Sequence, residues 1–332
     1  MKRKLFLIIV VWAAVLIPVV IGHAKPFYEG KVIQLIVTTK PGGGFDSYAR
    51  LLAGTMEKYL PGSTIIVKNV PGAGHIIGTN LIYEAKPNGL TFGTFERSLV
   101  ATQVAGLKGV KFDLSKMSWL GSPASDPRAF VVAKHTSYQT LDEAIKSKER
   151  IRFAASGIGT TDYLDPVLIA KMLGAEKWQI ITGYAGQEDQ LAMIRGEIDA
   201  VVTSWSNGKS FIESGEGRVL MFNNDTPVSG YEEYPLLKDI VAKEYQPLID
   251  LLLFMVMFNR PFAGPPDIPP DRLAVLREAF RKTWHDPELL KKAEMMKRPI
   301  NYIGYAEGEK LIKNALNQPP EVVKLIKEAY GK

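Results

Sequence analysis

The sequence predicts an α/β fold of two lobes, each a mostly parallel sheet flanked by helices. Short apolar segments alternate with helical stretches, and this alternation occurs in two separate series along the chain. Strands separated by helices of this length imply βαβ crossovers, which join parallel strands. The length of 332 residues also exceeds the ~100–200 residues of an ordinary single domain.

The two series define the elements. The first predicts strands at 32–38, 63–69 and 90–96, with helices at 46–60 and 76–85. The second predicts strands at 129–133, 151–155, 179–182 and 200–204, with helices at 141–148, 161–173 and 189–195. The C-terminal part is predicted to be helical at 271–284, 287–296, 307–316 and 321–330. The run 251–258 (LLLFMVMF) is apolar on both faces and is predicted as a buried strand.

The lobes are predicted to share the chain in three pieces. Gly and Pro cluster at 121–127, and a polar stretch with Gly, Pro and Asn lies at 223–235. Such clusters mark connections between elements. We therefore expect residues 25–125 to begin the first lobe, 126–228 to form the second, and 229–332 to return to the first.

The first residues predict the compartment. Three basic residues at 2–4 precede an apolar run at 5–21 and the small residues Gly22 and Ala24. This is the order of a secretory signal, so we expect 1–24 to be removed and the protein to be periplasmic. An uncleaved anchor is the alternative, because 17 apolar residues reach the short limit for spanning a bilayer.

Composition excludes several classes of site. The chain has no cysteine, which excludes disulfides, a Cys nucleophile and thiolate metal ligands. The histidines after residue 24 lack metal-ligand spacing, and no catalytic motif is present, so we expect no metal, no cofactor and no catalytic residue. Residues 1–24 contribute three of the six net positive charges, and no basic stripe carries interleaved aromatics. Nucleic acid is therefore not an expected partner.

Three glycine-rich turns each join a predicted strand to a predicted helix. They lie at 40–46 (KPGGGFD), 71–75 (PGAGH) and 156–162 (SGIGTTD). Glycine lets a ligand approach the main chain closely, and the unpaired N–H groups and dipole of a helix start favour an anion. Each turn alone is also compatible with a tight connection in which Asp46 or Thr160 caps a helix. Two such turns on facing lobes predict an anion held from both sides.

The second turn has an alternative interpretation. Gly72, Gly74 and Gly78 follow a predicted strand, and Glu96 ends the next one. This spacing is typical of a loose dinucleotide-binding fingerprint, which would indicate a nicotinamide-dependent oxidoreductase. Export argues against it, because soluble nicotinamide cofactors are not supplied outside the cytoplasm.

Several motifs together resemble one family. They are I-x-L-I-V-x-x-x-P-G-G-G-x-D-x-x-A-R at 33–50, V-x-N-x-P-G-A-G-x-x-I-G at 67–78, PNGLT at 87–91, ASGIGT at 155–160, Y-x-G at 184–186 and RGEID at 195–199. From about Lys31 to Lys327 the chain resembles the solute-binding component of tripartite tricarboxylate transporters, the TctC-like or Bug family.

The resemblance implies a fold like that of type II periplasmic binding proteins and no chemical step. It implies that a small carboxylate solute is held between the first and third turns, largely by main-chain N–H groups and ordered water. The partners would be a small and a large membrane subunit of a secondary transporter, and we expect a monomer. A receptor for signalling is the alternative. The expected contacts are Gly42, Gly43, Gly44, Phe45 and Asp46 in the first lobe, and Ser156, Gly159, Thr160 and Thr161 in the second, with Tyr184 and Ser204 nearby.

The chain departs from the family pattern around the expected pocket. Lys40 precedes the first turn, Phe45 replaces a small residue, and Tyr163 replaces a frequent His. Phe45, Tyr163 and Trp205 are therefore candidates for aromatic pocket walls, and each is equally compatible with a place in the core. Lys40 and Arg97 follow strand ends and are suited either to pairing with an anion or to a solvated surface.

Overall fold

The computed structural model describes residues 25–184 and 186–332. The predicted signal segment 1–24 lies outside these ranges. Within them, no helix combines the length and the apolar character needed to cross a membrane.

The strands and helices alternate along most of the described chain. The strands are β1 Val32–Val37, β2 Thr64–Asn69, β3 Thr91–Thr94, β4 Ser118–Ser122, β5 Arg128–Ala133, β6 Ile151–Ala155, β7 Trp178–Thr182, β8 Ala200–Ser204, β9 Gly217–Asn223, β10 Phe262–Gly264 and β11 Ile303–Gly304. The helices are α1 Gly44–Met56, α2 Ile76–Tyr83, α3 Leu99–Val104, α4 Leu141–Ile145, α5 Thr161–Leu173, α6 Glu188–Ile194, α7 Trp205–Glu213, α8 Leu237–Ile240, α9 Gln246–Met257, α10 Pro270–Trp284, α11 Pro287–Met295, α12 Tyr305–Leu316 and α13 Pro320–Ala329.

The strands form two sheets, which confirms the predicted two-lobed α/β fold. The first sheet has the order β11-β4-β10-β3-β1-β2 and the second has the order β7-β6-β8-β5-β9. Strand β1 is parallel to β2 and β3, and β6 is parallel to β7 and β8. Strands β10 and β5 are antiparallel to both of their neighbours, and β11 is antiparallel to β4. Each sheet is therefore mixed, because β5 and β10 enter from the other sheet and no crossover within one sheet forces them to be parallel.

Two connections join the sheets, and they touch each other. The chain leaves the first sheet after Ser122 and returns to it at Phe262. The Asp126 N–H donates to the Val256 carbonyl at 3.1 Å, and the Asn259 N–H donates to the Ala124 carbonyl at 3.1 Å. These hydrogen bonds hold the two connections side by side between the lobes.

The second connection corrects one prediction. The sequence predicts a buried strand at 251–258, but these residues belong largely to helix α9. Leu248, Leu252 and Met255 are among its buried residues, on a helix that is almost entirely apolar. A short run that is apolar on every side has no periodicity that separates a buried strand from a buried helix. The alternation also fails to predict α3, β4, α7 and β9.

The C-terminal helix α13 packs against both lobes. It contacts α5 on the side of the second sheet and α3 on the side of the first. The Tyr163 ring stacks on Tyr330 with a centroid distance of 6.4 Å, and its hydroxyl donates to the Ala329 carbonyl at 3.2 Å. Tyr163 therefore serves packing of α13 rather than a pocket wall.

A glycine in the first sheet provides a test of its packing. A Cβ on Gly93 would lie 2.5 Å from the Ile36 carbonyl oxygen and 2.4 Å from the Ile82 Cδ1. We expect Gly93→Ala to lower the free energy of unfolding by about 1–3 kcal/mol, because backbone and side chain must both move. Urea denaturation of residues 25–332 measures this change.

The control is Gly54→Ala on α1. Gly54 is exposed and has no atom within 4 Å of an added Cβ. The same methyl group should raise the free energy of unfolding there by about 0.5–1 kcal/mol, since alanine is the better helix former. Equal midpoints for Gly93→Ala and the wild type would contradict the close packing of β3 against β1 and α2.

Candidate functional site

The first glycine-rich turn leads directly into α1. Gly43 is the N-cap with φ of −80°, and the N–H groups of Gly44, Phe45 and Asp46 meet no acceptor in the described part of the chain. These unpaired N–H groups and the helix dipole make the α1 N-terminus, residues 43–46, an electropositive tip.

The Asp46 side chain is turned back into the same turn. Its carboxylate accepts hydrogen bonds from the Gly42 N–H at 3.0 Å, Arg50 Nε at 2.9 Å and Asn69 Nδ2 at 2.9 Å. Burial raises the pKa of Asp46, but the hydrogen bonds from Arg50, Gly42 and Asn69 outweigh it and hold the pKa below its usual range. The ionised Asp46 side chain therefore stabilises the turn. Only the main-chain N–H of Asp46 remains available to a ligand.

The third turn leads into α5 in a similar way. The Asp162 carboxylate accepts from the Ser156 N–H at 2.9 Å, from Ser156 Oγ at 2.5 Å and from Thr160 Oγ1. Thr161 Oγ1 donates to Glu96 in the first lobe at 2.5 Å. The side chains of the predicted contact residues Ser156, Thr160 and Thr161 thus have partners within the protein. The unpaired N–H groups at the α5 N-terminus are those of Thr161 and Asp162, counting acceptors in the described ranges.

The main chain of the third turn packs directly against the second turn. A Cβ on Gly74 would lie 2.4 Å from the Ile158 carbonyl oxygen, and Ser98 Oγ donates to the Gly159 carbonyl at 2.7 Å. The main chain of the second lobe thus takes the space that a pyrophosphate would need at the start of α2. Glu96, the acidic residue of the dinucleotide pattern, is bonded to Thr161 instead. The geometry therefore disfavours the dinucleotide alternative.

A buried polar cluster lies between the α1 and α5 tips. Its members are Glu96, Arg97, Asn259 and Arg260, and each is less than one-tenth exposed. Nη1 of Arg97 and Nη1 of Arg260 donate to the Asn259 carbonyl oxygen at 3.1 and 3.4 Å, and both also donate to its Oδ1. The Glu96 carboxylate lies 3.7 Å from Arg97 Nη1.

The Arg260 guanidinium lies beside the first turn. Its guanidinium carbon lies 4.5 Å from the centroid of the Phe45 ring, and a Cβ on Gly44 would lie 2.7 Å from Nη2. Phe45 therefore packs under Arg260. Sequence reasoning identifies Arg97 as a possible partner for an anion but misses Arg260, because it assigns the preceding helix as a strand. The triplet Asn-Arg-Pro at 259–261, directly after a long apolar run, is the available signal.

Burial affects the charges of this cluster. Burial lowers the pKa of Arg97 to about 10, although the Glu96 carboxylate raises it, so Arg97 is charged at neutral pH. Burial raises the pKa of Glu96, but Arg97, His75 and the Thr161 hydroxyl outweigh this and leave it below its usual range. The cluster therefore holds two guanidinium cations and one carboxylate.

An open cleft of about 700 Å³ lies at the first connection between the sheets. Helix α7 forms one wall, α11 and residues 297–300 form the other, and residues 125–127 of the first connection also line it. Arg298 and Trp205 line the cleft, whereas none of the predicted turn residues does so in the described part of the chain. The Asp126 carboxylate closes the α7 N-terminus by accepting from the Ser206 N–H at 3.1 Å.

The remaining predicted residues lie near the turns but have structural partners. Ser204 is the N-cap of α7, and its hydroxyl accepts from Arg128 Nη1 at 3.4 Å. The Tyr184 N–H donates to the Ala155 carbonyl at 3.1 Å, while its partly buried side chain packs against the core of the second lobe. The Trp205 ring packs edge-on against Phe222 at 5.3 Å.

Comparisons with known proteins agree with this architecture. Residues 48–327 match the family described as the tripartite tricarboxylate transporter family receptor, TctC. A UPF0065 protein of Bordetella pertussis is 26% identical over 212 residues, which cover 61% of this chain and 64% of that relative. The aligned part is thus less than two thirds of that relative.

Two solved structures share the fold. The periplasmic binding protein BugD superposes with a TM-score of 0.75 at 18% identity, covering 91% of this chain and 98% of that one. MatC from Rhodopseudomonas palustris, solved with bound malate, superposes with a TM-score of 0.71 at 16% identity, covering 89% and 99%. Since the family match spans most of the sequence, the chain belongs to the tripartite tricarboxylate transporter receptor (TctC) family of solute-binding proteins.

Proposed function

We propose that this chain is a periplasmic, non-enzymatic receptor that captures a small carboxylate solute between its lobes and delivers it to the membrane subunits of a tripartite transporter. One observation carries the proposal: the α1 and α5 N-termini, with unpaired N–H groups, lie at the two ends of a buried arginine-containing cluster between the sheets. MatC, a relative with the same fold, was solved with malate, which is a carboxylate.

The lobes in this proposal are residues 25–125 with 229–332, and residues 126–228. The solute carboxylate would accept hydrogen bonds from the main chain of 43–46 and from the N–H groups of Thr161 and Asp162, with Arg260 adding a positive charge beside Gly44. Direct contacts such as Thr161–Glu96 already join the lobes. A ligand that bonds both tips would favour the closed arrangement by its extra contacts, and the membrane subunits would recognise that shape.

A thermal-shift screen of residues 25–332 against small carboxylic acids tests the capture step. A true ligand at 100 times its dissociation constant should add about 2.7 kcal/mol of stability. If no acid stabilises the folded protein, carboxylate capture is the wrong function.

Gly43→Val tests the α1 tip directly. No atom lies within 4 Å of an added Cβ at Gly43, and its φ of −80° suits valine, so the free protein should keep its stability. The side chain would cover the N–H groups offered to the carboxylate, and we expect a loss of affinity of about 10–100-fold by calorimetry. Gly54→Val, on an exposed face of the same helix, should bind as the wild type does. We prefer Gly43 to Gly44 because a substituent at Gly44 would also displace Arg260. Normal binding by Gly43→Val would exclude this tip as the anion site.

Binding should also depend on pH through Asp189 on α6. The pKa of Asp189 is raised to about 7, mainly by burial. The hydrogen bond from the Gln190 N–H lowers this pKa, and the nearby Asp162 carboxylate raises it. Asp189 is thus mostly neutral at pH 6 and mostly ionised at pH 8. Its ionisation places a negative charge beside the α5 tip, so carboxylate affinity should fall about threefold to tenfold between these pH values. Asp189→Asn should remove this fall. The same pH dependence in the variant would contradict the assignment.

A further inference from the structure

Two side chains that follow β3 of the first sheet bond the third turn, which follows β6 of the second sheet. Glu96 accepts a hydrogen bond from Thr161 Oγ1 at 2.5 Å, and Ser98 Oγ donates to the Gly159 carbonyl at 2.7 Å. We call these four residues the inter-sheet contact. Both bonds are made by protein groups alone, so neither needs a solute in order to form.

The inter-sheet contact is buried. Ser98 and Gly159 are buried, and Thr161 is only 2% exposed. The bond between Arg298 and Asn207 also joins the two lobes, but it lies at the surface, where water competes for the same groups. A hydrogen bond in a medium of low dielectric is electrostatically stronger than one in water. The buried pair of bonds is therefore better suited to hold the lobes together than the surface bond is.

The charge of Glu96 strengthens one of the two bonds. Burial raises the pKa of Glu96, but the charges of Arg97 and His75 and the Thr161 hydroxyl outweigh burial and keep this pKa below its usual range. Glu96 is thus an ionised acceptor at neutral pH. A hydrogen bond to an ionised acceptor is roughly twice as strong as one between neutral groups. The bond from Thr161 is therefore the stronger member of the contact.

The backbone of the second turn is shaped to lie against the same place. Residues 73–75 all have positive φ, at 46°, 57° and 73°, although Ala73 and His75 are not glycines. A Cβ on Gly74 would lie 2.4 Å from the Ile158 carbonyl oxygen and 3.2 Å from the Gly159 Cα. Left-handed conformations of residues other than glycine are costly and persist only where the surroundings enforce them. The close approach of the two turns is therefore a built feature of the fold.

We propose that Glu96 and Ser98 form a latch, which holds the first lobe against the third turn of the second lobe whether or not a solute is bound. The latch does not depend on the identity of the solute, and in this it goes beyond the proposed function. One consequence rests on that function. The Thr161 N–H, a proposed donor to the solute, lies within the latched surface, so a solute reaches it only after the latch has opened.

Hydrogen exchange of residues 25–332, followed by mass spectrometry without added solute, tests the latch. Thr161→Val removes the hydroxyl of one bond and Ser98→Ala removes that of the other. Each effect is measured in the opposite lobe, where the sequence is unchanged. Thr161→Val should speed exchange at 99–102 by about 10–100-fold, and Ser98→Ala should speed exchange at 163–165 by about 3–10-fold. Exchange in β1 and β6 should stay as in the wild type, because the lobes part without unfolding.

Thr283→Val is the matched control. Thr283 is fully buried, and its hydroxyl donates to the Ala279 carbonyl at 2.7 Å within α10. This variant should leave exchange at 99–102 and 163–165 unchanged. Wild-type exchange in the opposite lobe of either Thr161→Val or Ser98→Ala would overturn the latch.

Equally faster exchange in β1 and β6 of the latch variants would also overturn the proposal, since the two bonds would then support the fold as a whole. Neither result bears on carboxylate capture, because the exchange experiment contains no solute. The thermal-shift screen tests capture separately, and its failure would leave the latch in place.

Discussion

The shared hydrogen bonds of Asn259 with two arginines fix the place where the two connections pass the first sheet. The Asn259 N–H bonds the first connection at Ala124, while its carbonyl and amide oxygens hold Arg97 from the end of β3 and Arg260 beside α1. The Arg260 N–H is in turn held by Ser122 Oγ at 3.2 Å. Both connections, two strand ends and one helix tip therefore converge on a single residue. Polar networks of this kind fix geometry tightly when they are fully satisfied, and this one still has open donors.

The helix tips of the proposed anion site do not stand alone, because carboxylates of the protein lie close to them. Asp46 and Asp162 place their own carboxylates within the first and third turns, where they already neutralise part of the positive potential of α1 and α5. Glu96 adds a third carboxylate at the α5 start. An incoming anion therefore meets three negative charges near the tips, and main-chain N–H groups must overcome their repulsion. The buried guanidinium groups of Arg97 and Arg260 place positive charge in the same region.

The local features of the sequence were predictable and the long-range ones were not. Strand β6 and helix α5 match their predicted bounds, because alternation and the Gly-rich turn between them are encoded within about twenty residues of chain. The three turns are predictable for the same reason. The pairing of Arg97 with Asn259 joins residues 162 positions apart, and no local pattern indicates it. The inward orientation of Asp46 is also hidden from the sequence, since it depends on Asn69, which lies on the neighbouring strand.

The contacts of α13 limit how the lobes can move. Its residues Ala329 and Tyr330 hold Tyr163 of α5, and Glu328 pairs with Lys171 of the same helix. The helix also packs on α3 of the first lobe. If the second lobe rotates about the two connections, α13 must move with α5 and slide over α3. Otherwise the rotation must be small. Closely packed helices shift by small steps, so only a motion of small amplitude between the lobes leaves these contacts intact.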